Sequence, residues 1–248
     1  MGLGKDDTIW GGEFLLSDYR SCERIACFNP IPLLGGNKAM KEPWRNIAAH
    51  IITHFGWDHF FEKYGKLELA SFLKEKPLIP LNFSKTLYPS TSSCGRLFDA
   101  VSASLGICRE EVSFEGQAAM ALETIADKSL NEKYNFDYKL HKISKIPTID
   151  SKLMWKELFF DISNGCKDSI ISAKFHNGLA ESIISITKRI YPNYHGGNRG
   201  IRKVALTGGV FQNKFLTKLV SEKLICEGYQ VIKHSKVPSN DGGISFGQ

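Results

Sequence analysis

Apolar residues recur at helical spacing in several stretches of the chain, most clearly over residues 95–107. One face of that stretch carries its large apolar side chains, which are Leu97, Phe98, Val101 and Leu105. They fall within an arc of about 100°, as in a helix with one buried side. Asp99 lies away from this arc, where a carboxylate is ordinarily solvated. Comparable patterns predict further helices over residues 42–54, 64–74, 116–127, 154–164, 168–190 and 212–227.

Shorter apolar runs predict strands. Residues 8–16 and 23–28 form a candidate hairpin, with a glycine pair and a bulge in its first strand. Residues 138–149 are expected to form two short strands. Strands at 204–206 and 230–234 flank the last predicted helix. The end of the chain therefore alternates strand and helix, which favours an α/β lobe.

Composition narrows the class of protein. The 248 residues are 42% hydrophobic and 23% charged, which excludes disordered, collagen-like and coiled-coil chains. The net charge of +6 is mild and no Lys/Arg block concentrates it, so we expect no nucleic-acid partner. There is no apolar run long enough to span a membrane and no signal-peptide pattern. Six cysteines without a C-x-x-C pair indicate reduced thiols in a cytoplasmic protein.

A glycine turn is the first candidate binding feature. Leu-Thr-Gly-Gly-Val-Phe-Gln-Asn, residues 206–213, joins a predicted strand to a helix. Gly208 and Gly209 allow a ligand to approach the backbone, and the helix N-terminus favours anions. Asn213 could hydrogen-bond a sugar or a base. A strand–helix turn without any ligand would explain the same residues equally well.

Two further loops precede predicted helices. Residues 90–96 are rich in hydroxyl groups and could cradle a phosphate, although Ser92 or Ser93 acting as a plain N-cap is an equal alternative. Residues 238–243, Pro-Ser-Asn-Asp-Gly-Gly, place the Asp241 carboxylate between an asparagine and two glycines. That setting suits a metal or a phosphate-bound cation. Capping of the next helix by Asn240 or Asp241 is the competing explanation, and the local sequence favours it.

Histidines supply a third kind of candidate. His50 and His54 have the i, i+4 spacing of metal ligands on a helix. Their flanks are apolar and no Glu lies between them, so the pattern favours packing over metal binding. His176 lies on the predicted helix 168–190 and could make a polar contact between helices.

Seven segments, in order, resemble motifs of the HypF family of hydrogenase maturation carbamoyltransferases. They are residues 2–14 (GLGKDDTIWGGEF), 35–45 (GG-x-x-A-x-x-EPWR), 91–101 (TSS-x-GRLFDAV), 114–120 (FEGQAAM), 175–180 (FHNGLA), 206–213 (LTGGVFQN) and 238–243 (P-x-NDGG). The resemblance is to the C-terminal domain of that family and spans nearly the whole chain. It implies an α/β fold of two lobes, of the actin/Hsp70/sugar-kinase (ASKHA) type.

The resemblance also implies a set of site residues. Gly208 and Gly209 would face an adenosine, with Asn213 beside it. The surroundings of the ribose or the phosphates would be Ser93, Gly95, Asp99, Glu115 and Gly116. Asp241 would bind a divalent metal, iron or zinc. His176 is the motif residue that we assign to catalysis.

The reaction implied by the family starts from carbamoyl phosphate and ATP. An upstream adenylate-forming domain of the same enzyme makes carbamoyl-adenylate. The domain resembled here transfers the carbamoyl group to the C-terminal cysteine of the acceptor protein HypE. That group later becomes a cyanide ligand of a nickel–iron hydrogenase.

Departures from the family pattern concern the beginning of the chain. A His-x-x-x-His pair and an Asp-Gly-Thr would lie upstream of residue 1, so the other metal ligands are expected there. We therefore expect a partial domain with an incomplete first lobe: residues 1–90 would complete that lobe with an insert, and residues 91–248 would form a nucleotide-binding second lobe. Two alternatives remain. One is a tRNA threonylcarbamoyladenosine synthase-like enzyme, disfavoured by the TIWGGEF and EPWR segments, and the other is an inactive nucleotide- or partner-binding fragment.

Overall fold

The computed structural model describes residues 2–76, 88–141, 144–194, 202–240 and 242–243. Within these ranges the strands are β1 (Gly2–Leu3), β2 (Ile9–Trp10), β3 (Glu13–Ser17), β4 (Cys22–Phe28), β5 (Ile31–Pro32), β6 (Ser90–Thr91), β7 (Asp137–Leu140), β8 (Pro147–Asp150), β9 (Lys203–Leu206) and β10 (Gln230–Lys233). The α-helices are α1 (Lys38–Lys41), α2 (Trp44–His54), α3 (Trp57–Tyr64), α4 (Glu68–Lys74), α5 (Cys94–Ser104), α6 (Gln117–Ile125), α7 (Lys152–Ser163), α8 (Asp168–Tyr194) and α9 (Lys214–Cys226). A short 3-10 helix, Gly209–Gln212, precedes α9.

The strands form three sheets. One has the order β1-β2-β6-β5, and a second has the order β3-β4-β8-β7 with a parallel β4–β8 pair at its centre. The third is the parallel pair β9–β10, connected through α9. The predicted hairpin is confirmed by the antiparallel β3–β4 pair, and the two strands expected within 138–149 are β7 and β8.

The prediction of one strand over residues 8–16 was wrong. The chain bends at its glycine pair, so β2 and β3 belong to different sheets. A Cβ on Gly12 would lie 2.4 Å from the Ser92 carbonyl oxygen. Only glycine, which has no Cβ, fits at this position without a steric clash. The backbone N–H of Cys94 donates to the Gly11 oxygen at 3.2 Å. This bend therefore lays the chain across the beginning of α5.

Helix packing creates the core. α2 lies against α5, and α8 lies against α6, α7 and α9. The helix predicted over 64–74 is α4, which begins only at Glu68, because Tyr64 ends a separate helix, α3, that the pattern did not predict. Aromatic residues of α3 pack on Phe159 of α7. Segments on both sides of residue 90 share the first sheet and the α2–α5 pair, and the division of the chain at that residue stays a prediction.

Two expectations about the chain as a whole concern membranes and thiols. Within the described ranges, no helix is long and apolar enough to cross a bilayer. All six cysteines lie in those ranges and are free thiols. Prolines at positions 77, 80 and 89 predict an irregular segment over residues 78–88, and this segment falls outside the described residues apart from residue 88.

Candidate functional site

The beginnings of two helices and a glycine turn meet in one region. Ser93 is the N-cap of α5, and its Oγ accepts the N–H of Arg96 at 3.3 Å. A Cβ on Gly95 would lie 4.0 Å from Val210, which belongs to the 3-10 helix after the glycine turn. The turn and the first turn of α5 are therefore neighbours. Backbone N–H groups at helix starts favour anionic ligands.

A third helix, α6, contacts the same region. α6 begins after Gly116, whose φ of +83° places it in the left-handed region. Further along α6, Glu123 accepts the backbone N–H of Phe215, in the first turn of α9, at 2.9 Å. Glu115, just before the start of α6, is exposed and close enough to Asp99 to raise its pKa.

The glycine turn itself is open on one side. Gly208 has a φ of +97°, and its N–H donates to the Ser239 oxygen at 2.7 Å, which holds the turn against the segment carrying Asn240. For a Cβ added to Gly209, the nearest atom among the described residues is Asn240 Cβ, at 4.0 Å. Gly209 is exposed. This turn can therefore receive a flat ligand against its backbone.

Asn213 links the turn to the core. Its Oδ1 accepts the N–H of Leu216 at 2.8 Å, so it is the N-cap of α9. Its Nδ2 donates to Nε2 of His176 at 3.0 Å. Both side chains are buried. The orientation of Asn213 is therefore set from both ends of its amide.

His176 is fully buried on α8. Its Nδ1 lies 2.8 Å from the Ser172 carbonyl oxygen, which can only accept, so Nδ1 carries the hydrogen and Nε2 carries the lone pair. Burial lowers the pKa of His176 to about 4, so the ring is neutral at pH 7. The ring packs against Phe98 and Phe215.

Asp99 departs from its sequence pattern. It lies away from the apolar arc of α5, but it is only 4% exposed, because neighbouring elements cover that side of the helix too. Arg96 pairs with it, with Nη1 at 2.6 Å from Oδ2. Burial, against the attraction of Arg96, raises the pKa of Asp99 to about 6. The expectation of a solvated carboxylate was wrong.

Glu13 is a polar residue of this region that the sequence reasoning missed. Ser92 Oγ donates to one of its carboxylate oxygens and the Gly12 N–H donates to the other at 2.8 Å. Arg24 approaches it at 3.9 Å and also pairs with Asp6. Burial raises the pKa of Glu13, against these hydrogen bonds. The sequence signal that could have identified Glu13 is its position directly after Gly11 and Gly12, the pair that crosses the start of α5.

His50 and His54 form a buried polar cluster. Nδ1 of His50 lies 3.5 Å from Nε2 of His54, which lies 3.1 Å from Ser151 Oγ. Asp150 Oδ1 lies 4.0 Å from Nδ1 of His54. Burial lowers the pKa of both imidazoles, that of His54 to about 4. The two imidazoles therefore contact each other, Ser151 and Asp150 inside the core.

A small pocket opens between the start of α5, which carries Arg96, and the His50–His54 cluster. Its cavity volume is about 20 Å³, above the roughly 10–15 Å³ that one water needs. The walls come from the segment after β4, from α2, from the first turn of α5 and from the start of α7. The polar wall residues include Asn29, Asn46, His50, Ser93, Arg96 and Ser151.

Metal ligands are not assembled in the described part of the chain. Among the described residues, no group of three or more His, Cys, Asp or Glu side chains could hold an ion. Asp241, the expected ligand, lies outside the described residues. The residues that can be described therefore do not fit a metal centre.

Comparison with known proteins places this geometry in a family. The model of the family described as "Carbamoyltransferase, Kae1-like Domain, second subdomain" matches residues 1–248. A carbamoyltransferase HypF of Rhodobacter capsulatus is 34% identical over all of this chain and 30% of its own length, and one of Synechocystis is 36% identical over all of this chain and 32% of its own. A crystal structure of full-length HypF in a phosphate- and nucleotide-bound form superposes with a TM-score of 0.83 at 36% identity, over 99% of this chain and 31% of that one.

The fold and these matches define a Kae1-like carbamoyltransferase domain, with the α/β fold of the ASKHA type. The chain belongs to the HypF carbamoyltransferase family. It spans about a third of the length of the relatives just described.

Proposed function

We propose that the chain takes part in carbamoyl transfer from carbamoyl-adenylate to the C-terminal cysteine of a HypE-like acceptor. The observation that carries this proposal is the approach of the Gly208–Gly209 turn to the start of α5, where Gly95 lies beside Val210 and Asp99 lies near Glu115. An adenylate needs an open backbone surface for its nucleoside and N–H groups for its phosphate. The nucleotide-bound form of the related HypF supports the same assignment.

Within this proposal, Gly208 and Gly209 contact the adenosine and Asn213 lies beside it. The phosphate and ribose are bound around Ser93, Gly95, Asp99, Glu115 and Gly116. Ser93 and Gly95 offer the start of α5 to the phosphate oxygens. Asp99 acts through Arg96, because its buried carboxylate already pairs with that guanidinium.

His176 is proposed as a positioning residue rather than a group that touches substrate. Its ring is fully buried, and its lone pair is occupied by the Asn213 amide. A neutral His176 therefore orients Asn213, and Asn213 in turn orients the turn that receives the nucleoside.

The proposed partners of the reaction are those that the family resemblance implies. We propose that carbamoyl-adenylate arrives from an adenylate-forming domain of the same enzyme, made there from carbamoyl phosphate and ATP. Asp241 is proposed as one ligand of an iron or zinc ion, with further ligands from outside the described residues. No step proposed here depends on that ion.

The test is a transfer assay followed by mass spectrometry. The chain is mixed with carbamoyl-adenylate and a peptide carrying the acceptor's C-terminal cysteine, with and without iron or zinc. We expect a carbamoyl adduct on the peptide cysteine, reduced at least about tenfold by Gly209→Arg, which fills the open turn. Equal adducts with and without the chain would contradict the proposal. Nucleotide binding without any adduct would favour the inactive binding module.

A further inference from the structure

The bend between β2 and β3 holds the start of α5 through three consecutive residues. The Gly11 oxygen accepts the Cys94 N–H at 3.2 Å, and Gly12 lies directly against the Ser92 carbonyl oxygen. The third residue, Glu13, accepts the hydroxyl hydrogen of Ser92 with Oε1. Glu13 and Ser92 are 79 positions apart, so these contacts fix the path of the chain before α5 from a distant segment.

The Glu13 carboxylate is itself held in one place. Its side chain is only 7% exposed. Oε2 accepts the Gly12 N–H at 2.8 Å, and Arg24 Nη1 lies 3.9 Å from Oε1. A buried carboxylate is tolerated only when such hydrogen bonds and charges offset its loss of hydration. Both carboxylate oxygens therefore have partners, and the side chain is a rigid support for Ser92.

Most backbone N–H groups at this helix start already have acceptors. Four residues donate their backbone N–H to oxygens of described residues: Ser92, Ser93, Cys94 and Arg96. The N–H of Gly95 makes no hydrogen bond to a described residue. Because glycine has no side chain, a phosphate oxygen can approach this N–H closely. The direction of the Gly95 N–H is set by the neighbouring residues that the bend holds.

We propose that Glu13 is a positioning residue for the transfer reaction: its carboxylate fixes Ser92 and thereby aims the Gly95 N–H at the phosphate of the nucleotide. The inference rests on the proposed function, because it presumes a phosphate at the start of α5. Glu13 acts through Ser92 and does not touch the ligand. Its negative charge alone would repel a phosphate, so positioning and simple electrostatics predict opposite effects when the charge is removed.

The first test is the isosteric change Glu13→Gln. The NH₂ group of glutamine cannot accept a hydrogen bond, so either the Ser92 hydroxyl or the Gly12 N–H loses its acceptor. Calorimetry with AMP on the full chain at pH 7 should give at least about tenfold weaker binding to this variant. Glu23→Gln, an exposed change of the same charge on β4, is the control and should bind AMP like the unmodified chain. Tighter or equal AMP binding by Glu13→Gln would overturn the proposal.

A pH profile separates positioning from a general loss of stability. Burial raises the pKa of Glu13 above its ordinary value of 4.5, so at pH 4.5 more than half of this carboxyl group is protonated. A protonated Glu13 loses an acceptor, as glutamine does. The ratio of the AMP dissociation constants of Glu13→Gln and the unmodified chain should therefore fall at least about twofold between pH 7 and pH 4.5. A ratio that is constant or rises over this range would mean a purely structural role and would overturn the proposal.

The charged and titratable groups around Glu13 do not obscure this ratio. Arg24, on β4, keeps its charge throughout this range. Burial raises the pKa of the Cys27 and Cys94 thiols to about 12, so both stay neutral. Titration of AMP itself, of Asp6 beside Arg24 and of Asp99 occurs in both proteins and cancels in the ratio.

A second variant decides the matter if Glu13→Gln does not fold. Ser92→Ala removes the other partner of the contact and should also weaken AMP binding at least about tenfold. Where both variants fold, adding Glu13→Gln to Ser92→Ala should cost less than about twofold more, because the two residues act as one unit. Unchanged AMP binding by Ser92→Ala, or fully additive effects, overturns the role of Glu13 and leaves the nucleotide site intact. Failure of AMP to bind the unmodified chain would instead refute the nucleotide site, and the role of Glu13 with it.

Discussion

The contact between His176 and Asn213 is the best-defined single-residue feature of the candidate site. One amide caps α9 with its oxygen and meets an imidazole lone pair with its nitrogen. Sequence motifs identified both residues but could not pair them, because 37 positions separate them along the chain. Burial lowers the pKa of His176, and the Asn213 amide gives its Nε2 lone pair a hydrogen-bond partner in place of water.

Replacing the Asn213 donor by a carboxylate tests this pairing. In Asn213→Asp, the N-cap oxygen is kept, and the negative charge now favours a protonated His176. We expect the pKa of His176 to rise from about 4 by at least about one unit, as measured by NMR titration. Asn164→Asp, an exposed change of the same charge, is the control. An unchanged His176 pKa in Asn213→Asp would show that the two side chains do not interact.

Burial of His176 also predicts a pH dependence of stability. The pKa is about 4 in the folded chain against 6.5 for an unperturbed histidine, so between these values the unfolded chain binds the extra proton. The contribution of neutral His176 is therefore complete above pH 6.5 and is lost as the pH falls toward 4. The loss amounts to about 3 kcal/mol.

Comparison with His176→Gln isolates the contribution of His176 to this pH-dependent loss of stability. Asp99, whose raised pKa acts in the opposite direction between pH 3.8 and about 6, is common to both proteins. Urea unfolding of each protein at pH 7 and pH 4.5 should show a smaller loss in the variant. Equal losses in the two proteins would mean that His176 is not a buried neutral group.

At the scale of elements, apolar periodicity located where several helices begin. α5, α6 and α9 begin within a few residues of their predicted positions. The pattern failed for Asp99, because α5 is covered on several sides and no short-range pattern reports which elements will cover it. It also failed for residues 8–16, where a close backbone approach at Gly12, rather than strand propensity, decides the path.

Close approach also predicts which helix glycine is essential. A Cβ on Gly178 would lie 2.2 Å from the Tyr134 oxygen, so Gly178→Ala forces α8 away from that segment. We expect a loss of about 1–3 kcal/mol in the free energy of unfolding. Gly95→Ala is the matched control, because its nearest neighbours lie at ordinary contact distances of 3.6 and 4.0 Å.

In the control, helix propensity predicts no loss and a gain of up to about 1 kcal/mol. Thermal or urea unfolding measures both variants. A Gly178→Ala protein as stable as the unmodified chain would show that the approach of Tyr134 to α8 is not a constraint.

For the whole molecule, the order of motifs predicted the family and the α/β fold, which the comparisons confirm. Residue patterns by themselves reached only an α/β domain with glycine turns. The motifs could not reveal Glu13 beside Ser92, or a pocket built from four separate segments, because these depend on how distant parts of the chain meet. The site residues assigned from the motifs stay predictions until a ligand is bound.

The central claim is that a nucleotide binds where the glycine turn meets the helix starts. Calorimetric titration of AMP into the chain tests it directly, with Gly209→Arg as the blocking variant and Ser163→Arg, an exposed change on α7 of the same charge, as the control. Gly209 has room for a side chain, so the blocking variant should fold. We predict binding to the unmodified chain and to Ser163→Arg, with at least about tenfold weaker binding to Gly209→Arg. Absence of binding to the unmodified chain, or equal binding to all three proteins, would contradict the claim.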